Sequence, residues 1–496
     1  MQSFAPSPKA YSVRQFAGLV LGPAWLLLAL VLPAPAGLSP EGWMTAAIAL
    51  FMVTWWISEA VPIPATSLLP LVLFPLLGGG TMQEAAAPYA NPLIFLFMGG
   101  FLIATAMVRW NLHKRIALYV ICRVGTTPRA IIWGFLLATA FLSMWVSNTA
   151  TAVMMLPVAL SVVALADAGG NSSMQRRFAL VLLLCIAYGA NIGGIGTLIG
   201  TPPNAFMAAF FESEYSYTIT FARWLLVGLP VVGIGLPLTY LALTRVVFPF
   251  SIERLIGSRA LLDQEVQKLG PVSLGERLVA VVFAGTALLW ITRPLLTSVI
   301  PGLSDAGIAM IGGVILFVLP VDIRRGIFVH SWKAANELPW GTLLLFGGGL
   351  SLAAAMSRTG LAAWIGHSLG FVDLLPVVLI ILVVTAVIVF LTELTSNIAT
   401  TATFLPLLAA LAVGTGESPL LLAVPAVMAA SCAFMLPVAT PPNAIIYGSE
   451  RVSIPEMARA GVVLNVIFTV LVTALAYTLA AWVFGIQVGA LPAWAH

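Results

Sequence analysis

Apolar runs about as long as a membrane crossing recur along this chain, and no other feature restricts its fold so strongly. They lie at residues 17–32, 43–57, 64–77, 92–108, 130–166, 178–211 and 225–248, then at 278–300, 306–321, 342–356, 374–413, 420–448 and 461–483. The polar/apolar alternation of an outer-membrane β-barrel is absent, and runs near ~20 residues argue helices. Only 8% of the residues are Asp, Glu, Lys or Arg, against roughly 25% in soluble domains, which excludes a soluble globular protein. A hydrocarbon core of ~30 Å takes ~20 helical residues, so 496 residues fit about ten to twelve spans. The fold class is all-α and polytopic.

The net charge of +4 carries no nucleic-acid reading in such a chain, where the placement of charge matters more than its sum. Cys122, Cys185 and Cys432 are isolated in or beside apolar runs and are read as core packing. His113, His330, His367 and His496 are scattered, so no metal cluster is indicated. A membrane-embedded enzyme, a remote alternative, would need an Asp-rich motif, clustered His or a nucleophile beside a base. None is present. The first run follows Lys9 and Arg14 and is read as an uncleaved span rather than a signal peptide.

A polar connector at 249–277, with Glu253, Arg254, Arg259, Asp263, Glu265, Lys268, Glu276 and Arg277, divides the chain. It separates a first half (helices to 129, then 130–248) from a second (278–373, then 374–496). With the N-terminus inside and the long runs at 130 and 374 taken as excursions that return to the same side, 19 of 22 Lys and Arg fall inside. Arg223, Arg293 and Arg358 fall outside. That is the positive-inside bias. The reading is a multi-pass protein of an inner or plasma membrane with eleven full spans, a cytoplasmic N-terminus and an outside C-terminus. Each long run turns at an uncharged Ser-Asn tip, Ser147-Asn148 and Ser396-Asn397, without Gly or Pro at the apex. Exposed turns usually carry some of these residues, so two re-entrant hairpins ending near the midplane are predicted.

The halves repeat. Leu96-Phe97, Phe141-Leu142-Ser143, Ser147-Asn148 and Leu156-Pro157 recur 249 residues later as Leu345-Phe346, Phe390-Leu391-Thr392, Ser396-Asn397 and Leu405-Pro406. Thr201-Pro202-Pro203-Asn204 recurs as Thr440-Pro441-Pro442-Asn443, 239 residues later, and Gly169 to Ser172 is read as part of the difference. The predicted topology makes the repeats inverted, as in many secondary transporters with a midplane site. Each Pro pair blocks helix continuation and frees backbone groups, which must then face protein, water or ions.

The tips and breaks offer Asn amides, hydroxyls and helix N-termini, which attract anions. No Lys or Arg lies between Ala130 and Gln175, or between Thr359 and Glu450. Four helix ends at ~1–2 kcal/mol each fall short of the several kcal/mol per ion that desolvation costs. Co-bound cations close that gap, and unwound carbonyls with Ser, Thr and Asn oxygens are the ligand set for Na⁺ in such folds. Glu393 and Glu59 stand at or in membrane runs. Glu393 is open to a relay role or to a structural pairing with hydroxyls or helix ends, and Glu59 reads as interfacial. The Gly99 and Gly348 pairs read as close helix contacts.

The segments 141–151 and 200–204, with their second-half counterparts, resemble the signature motifs of the divalent anion:sodium symporter family, the INDY-type dicarboxylate and citrate transporters. The resemblance covers nearly everything from Pro92 onward. It implies a homodimer and an elevator-type movement of a transport region against a scaffold. It also implies one Na⁺ site at Ser143, Ser147, Asn148 and Gly200, and another at Thr392, Thr395, Asn397 and Ala439. Substrate carboxylates would meet Ser147, Asn148, Thr149, Thr201, Ser396, Asn397 and Thr440. One departure stands out: Ile398 occupies a place where the fuller motif has Thr, which leaves citrate, a longer dicarboxylate and sulfate open beside a C4-dicarboxylate. The sequence thus predicts sodium-coupled import of di- or tricarboxylate anions. A carboxylate or sulfate exchanger, or a Na⁺/H⁺ antiporter of the same fold superfamily, is the alternative.

Overall fold

The computed structural model describes residues 11–168, 173–251, 257–368 and 375–495. Lys9, Gly169 to Ser172, Glu253, Arg254, Leu374 and His496, read above, lie outside them. The first half runs α1 (Val13–Val31), α2 (Pro40–Ser58), α3 (Ile63–Thr66), α4 (Leu69–Leu77), α5 (Met82–Ala86), α6 (Pro92–Arg109) and α7 (Leu112–Val124). There follow α8 (Pro128–Ser143), α9 (Asn148–Ala168), α10 (Ser173–Ile195), α11 (Pro202–Tyr215) and α12 (Phe221–Leu241). After α13 (Ser258–Lys268) the second half runs α14 (Leu274–Leu296), α15 (Asp305–Val318), α16 (Trp332–Ala335), α17 (Trp340–Arg358) and α18 (Leu361–Ser368). It ends with α19 (Val377–Leu391), α20 (Asn397–Gly414), α21 (Pro419–Ala430), α22 (Pro441–Tyr447), α23 (Ile454–Leu475) and α24 (Ala481–Phe484). The described strands are a small antiparallel ribbon, Pro320–Asp322 with Ile327–Phe328, turned at Gly326.

Local sequence explains where these helices start. Ser39, Asn91 and Thr127 each precede a Pro at the first helical position, and their side chains accept from Gly42 N, Leu93 N and Ala130 N. Ser12 with Gln15, and Ser273 with Glu276, form capping boxes.

Among the described residues nine helices are long and apolar enough to cross a bilayer, and two of these, Asn148–Ala166 and Asn397–Gly414, are second arms of the hairpins. Ile63–Leu77, Asp305–Val318 and Pro419–Ala430 are shorter apolar helices. Helix length alone therefore does not return eleven crossings. Pro419–Ala430 is walled in by protein along its whole length, and such a helix can stop in mid-membrane once other groups satisfy its ends.

The repeat is visible in backbone detail. Arg109 and Arg358 end α6 and α17, and Asn111 and Gly360, also 249 apart, both take left-handed φ, 58° and 76°. α12 and α23 each run on into π-helix, at Ala242–Val247 and Ala476–Ala480. Gly99 and Gly348 occupy matched close approaches. A Cβ on Gly99 would stand 2.5 Å from the Ala309 backbone, and one on Gly348 2.3 Å from Ser67 O.

The hairpins enter from opposite ends. The first starts beside α13, where Ser258 Oγ donates to Thr126 O at 3.1 Å. The second follows α18, whose Trp364 Nε1 donates to Ala36 O at 3.1 Å, in the loop at the far end of α1 and α2. α10 lies inside, buried throughout from Phe178 to Ile195, as expected of a helix apolar on every side.

One sequence reading is corrected. Cys185 and Cys432 are buried but Cys122 is exposed. α7 is amphipathic, turning Leu118 and Ile121 inward and Cys122 outward. Its polar side is tied to the connector, through Lys114 to Glu265 at 3.5 Å and Arg115 to Glu276 at 2.8 Å.

Candidate functional site

Both hairpin tips and both Pro-Pro breaks line one cavity of about 1640 Å³. Of the twelve residues singled out by sequence, ten line it: Ser147, Asn148, Thr149, Gly200, Thr201, Thr395, Ser396, Asn397, Ala439 and Thr440. Ser143 and Thr392 stand behind the tips, fully buried. They make equivalent bonds. Ser143 Oγ donates to Asn148 Oδ1 at 2.5 Å, and the single proton of Thr392 Oγ1 is shared between Asn397 Oδ1 and Ala430 O, each at 2.9 Å. Each Asn side chain is thus fixed by a hydroxyl five residues before it.

Around the first tip, oxygens converge where a side chain is missing. A Cβ built on Gly194 would stand 2.9 Å from Asn148 Oδ1 and 3.2 Å from Gly200 O. Only glycine allows this approach. The hydroxyl of Ser143, the amide oxygen of Asn148 and the carbonyl of Gly200 form a hard-oxygen set, the chemistry that suits an alkali cation. Around the second tip Thr395 bonds Leu391 O at 3.0 Å and Thr400 Oγ1 at 2.6 Å. The first repeat has Val146 at the place of Thr395, and Thr151, the counterpart of Thr400, has no partner for its hydroxyl among the described residues.

Helices α9, α11, α20 and α22 all begin at the cavity wall, with Asn148, Pro202, Asn397 and Pro441 both first helical residues and lining residues. Their N-terminal N–H groups favour negative charge there. The tips and breaks contribute no basic side chain to the wall. Arg14, Arg109 and Lys333, with Glu59 and Glu337, line the cavity farther out, at its charged mouth. Arg14 and Glu59 approach to 4.0 Å there, both about half exposed.

Two sets of residues were missed by sequence reasoning as parts of this site, and for a third, Glu393, it left two roles open. Open carbonyls at the end of α10 and in the unwound turns before α11 and α22 are taken by the Asn of each Thr-Pro-Pro-Asn. Asn204 Nδ2 donates to Gly194 O at 3.2 Å and Thr197 O at 2.8 Å, and Asn443 Nδ2 to Ala433 O at 3.2 Å and Leu436 O at 3.0 Å. These acceptors match across the repeat at the offset of 239, a signal already contained in the sequence. Second, Asn191 of α10 donates to Ala433 O at 2.9 Å and Thr440 Oγ1 at 3.2 Å, joining the first repeat to the break of the second.

Third, Glu393 is given its structural role. Its buried carboxylate accepts from the N–H groups of Phe434, Met435 and Leu436 at 2.7–3.1 Å and from Asn465 Nδ2 at 2.9 Å. It holds the unwound turn between α21 and α22 and does not line the cavity. The apolar part of the wall includes Ile398, partly buried, and Val438, 81% exposed into the hollow.

The model of the family described as the sodium:sulfate symporter transmembrane region matches residues 13–486. The chain is 43% identical over 488 residues to the sodium-dependent dicarboxylate transporter SdcS of Staphylococcus aureus strain USA300, covering 97% of this chain and 94% of that one. Among solved structures it resembles the Alcanivorax borkumensis YdaH transporter, with a TM-score of 0.58 and 13% identity, over 93% of this chain and 98% of that one. It also resembles Neisseria gonorrhoeae MtrF, with a TM-score of 0.59 and 13% identity, over 97% and 96%. At that identity the two structures speak to the fold alone.

Proposed function

The chain belongs to the sodium:sulfate symporter family, and from that premise we propose that it carries di- or tricarboxylate anions across the membrane, coupled to the entry of Na⁺. Membership places it among transporters rather than enzymes. One observation carries the ionic reading: four helix N-termini and two hydroxyl-fixed Asn side chains surround a cavity whose tips and breaks supply no positive side chain. An anion with two or three charges is stable there only with mobile cations beside it. The name of the relative SdcS, a sodium-dependent dicarboxylate transporter, supports dicarboxylate as the cargo.

In this reading Ser143, Ser147, Asn148 and Gly200 hold one Na⁺, and Thr392, Thr395, Asn397 and Ala439 another. Ser147, Asn148, Thr149, Thr201, Ser396, Asn397 and Thr440 meet the carboxylates. The mouth with Arg14, Arg109 and Lys333 faces the cytoplasm, as positive charge near span ends favours. The cavity then opens inward and the C-terminus lies outside. The hairpins with α10, α11, α12, α21, α22 and α23 form the moving transport region. The helices of residues 1–129 and 278–373 form a scaffold, and two copies assemble through it. Elevator-like displacement of that region carries the cavity from one face to the other.

Uptake of radiolabelled succinate into proteoliposomes, with and without an inward Na⁺ gradient, tests the coupling. Uptake that rises with the gradient supports symport. Equal uptake without Na⁺ overturns it in favour of exchange.

A further inference from the structure

A second hollow, of about 510 Å³, lies away from the cavity, between the first turns of α10 and α23 and the π-helical end of α12. Arg176, Arg177 and Arg459 line it, with Glu456 as the one carboxylate among its lining residues, so its wall carries two net positive charges. The arginines are held in different ways. Arg176 pairs with Glu456 at 2.9 Å. Arg177 Nη1 donates to Pro249 O at 3.0 Å, and the Arg459 guanidinium stands over Phe248, 5.9 Å from the ring centroid. Among the described residues no carboxylate pairs with Arg177 or Arg459. Each guanidinium has five N–H donors in a fork suited to phosphate oxygens.

The surroundings specify the ligand further. The hollow lies where three long apolar helices, α10, α12 with its extension, and α23, end together. Its wall has an apolar side in Leu180, Val246, Val247 and Pro455, and Val246 is 67% exposed. A small soluble anion gains nothing from such a side. A phospholipid does, because its acyl chains run down the helices from the point where its headgroup is held. Basic pockets between membrane helices are built for that chemistry.

We propose that this hollow binds the phosphodiester headgroup of an anionic phospholipid. Arg177 and Arg459 take the phosphate oxygens, Arg176 is kept alongside by Glu456, and one acyl chain lies against Val246. The headgroup then spans α10 of the first repeat and α23 of the second, bracing the two helices that flank the Arg176–Glu456 contact. The inference rests on the membrane-spanning reading and is independent of which anion is transported.

Native mass spectrometry of the purified full chain, mixed with phosphatidylglycerol or phosphatidylcholine, tests it. Wild type retains phosphatidylglycerol adducts on the order of tenfold more than R177Q/R459Q, while phosphatidylcholine retention is the same for both. Equal phosphatidylglycerol retention by the two proteins overturns the proposal. So does thermal stabilisation by inorganic phosphate alone that matches stabilisation by the lipid, since the site would then take a free anion. If R177Q/R459Q does not fold, V246D leaves the arginines in place and sets a carboxylate on the apolar side; undiminished adducts there also overturn the proposal. Sodium-driven uptake assayed on the same samples reports separately on the transport reading.

Discussion

Glu393 and Asn465, 72 residues apart, meet at 2.9 Å and together fix the unwound turn before α22. The carboxylate takes three backbone N–H groups besides the amide. E393Q keeps the shape but turns an amide NH₂ toward donors, leaving buried N–H groups unsatisfied at about 1–3 kcal/mol. The variant is expected to melt several degrees lower in a detergent thermal shift. Its uptake should keep the wild-type dependence on pH, because the group serves as an anchor. A flattened pH profile with unchanged melting would instead make Glu393 a proton carrier.

Asn204 and Asn443 satisfy carbonyls left open in the unwound segments ahead of their own Pro pairs. N204A leaves the buried Gly194 O without its donor, and a loss of about 1–3 kcal/mol is expected; N443A should cost less, because Ala433 O keeps Asn191 Nδ2 and Leu436 O keeps the Ala439 N–H. Melting temperature in the absence of substrate measures this. Stability of N204A equal to wild type would mean that water or an ion takes over this carbonyl.

Asn148 and Asn397 present their amide oxygens under the control of Ser143 and Thr392. Removing an oxygen that binds a cation costs about 1.5–3 kcal/mol, or roughly 10- to 100-fold in affinity. N148A and N397A should each abolish Na⁺-driven succinate uptake and shift Na⁺-dependent thermal stabilisation to much higher Na⁺. Both should still elute as folded protein. Unaltered Na⁺ titrations in both variants would remove these residues from the cation sites.

The tips, the breaks and the repeat were legible in the sequence because each depends on local rules: Pro ends helices, uncharged turns avoid water, and a constant offset exposes duplication. Long-range satisfaction of the backbone was not. Asn191 reaches a carbonyl 242 residues away and Glu393 reaches Asn465 across 72, and neither spacing is tied to any period. The offset of 249 does set Glu393 against Met144, a mismatch the sequence reading did not use. Cys122 was misjudged because its place beside apolar runs was read as core packing, whereas it lies on the outward side of the amphipathic α7.

Glu265 ties the connector to α7, accepting from Lys268 and standing 3.5 Å from Lys114. The hydrogen bond from Lys268 is foremost in holding its carboxyl below the ordinary carboxylate range. A lowered folded-state pKa stabilises the fold above the ordinary value, and the contribution is lost as pH falls through the folded value. Hydrogen-exchange protection factors in α13, taken against the intrinsic rate at each pH, should therefore be high at neutral pH and fall below about pH 4.5. E265Q should show the lowered protection already at neutral pH. Undiminished protection in E265Q at pH 7 would detach α13 from this ion pair.

Ile398 stands at the second tip where Thr149 stands at the first, 249 residues earlier, and Val438 adds a second apolar group to the same wall. A substrate methylene packs against such a wall without loss, whereas a hydroxyl placed there gives up its water for no partner, at about 1–3 kcal/mol. Wild type should thus favour succinate over malate and citrate. I398T restores a hydroxyl at the matched position and should move the succinate-to-malate ratio of uptake KM toward malate by about tenfold. The comparison is made on one batch of proteoliposomes at fixed Na⁺. An unchanged ratio would mean that Ile398 packs beside the carboxylate path rather than facing the substrate, and specificity would then rest on Thr149 and the breaks.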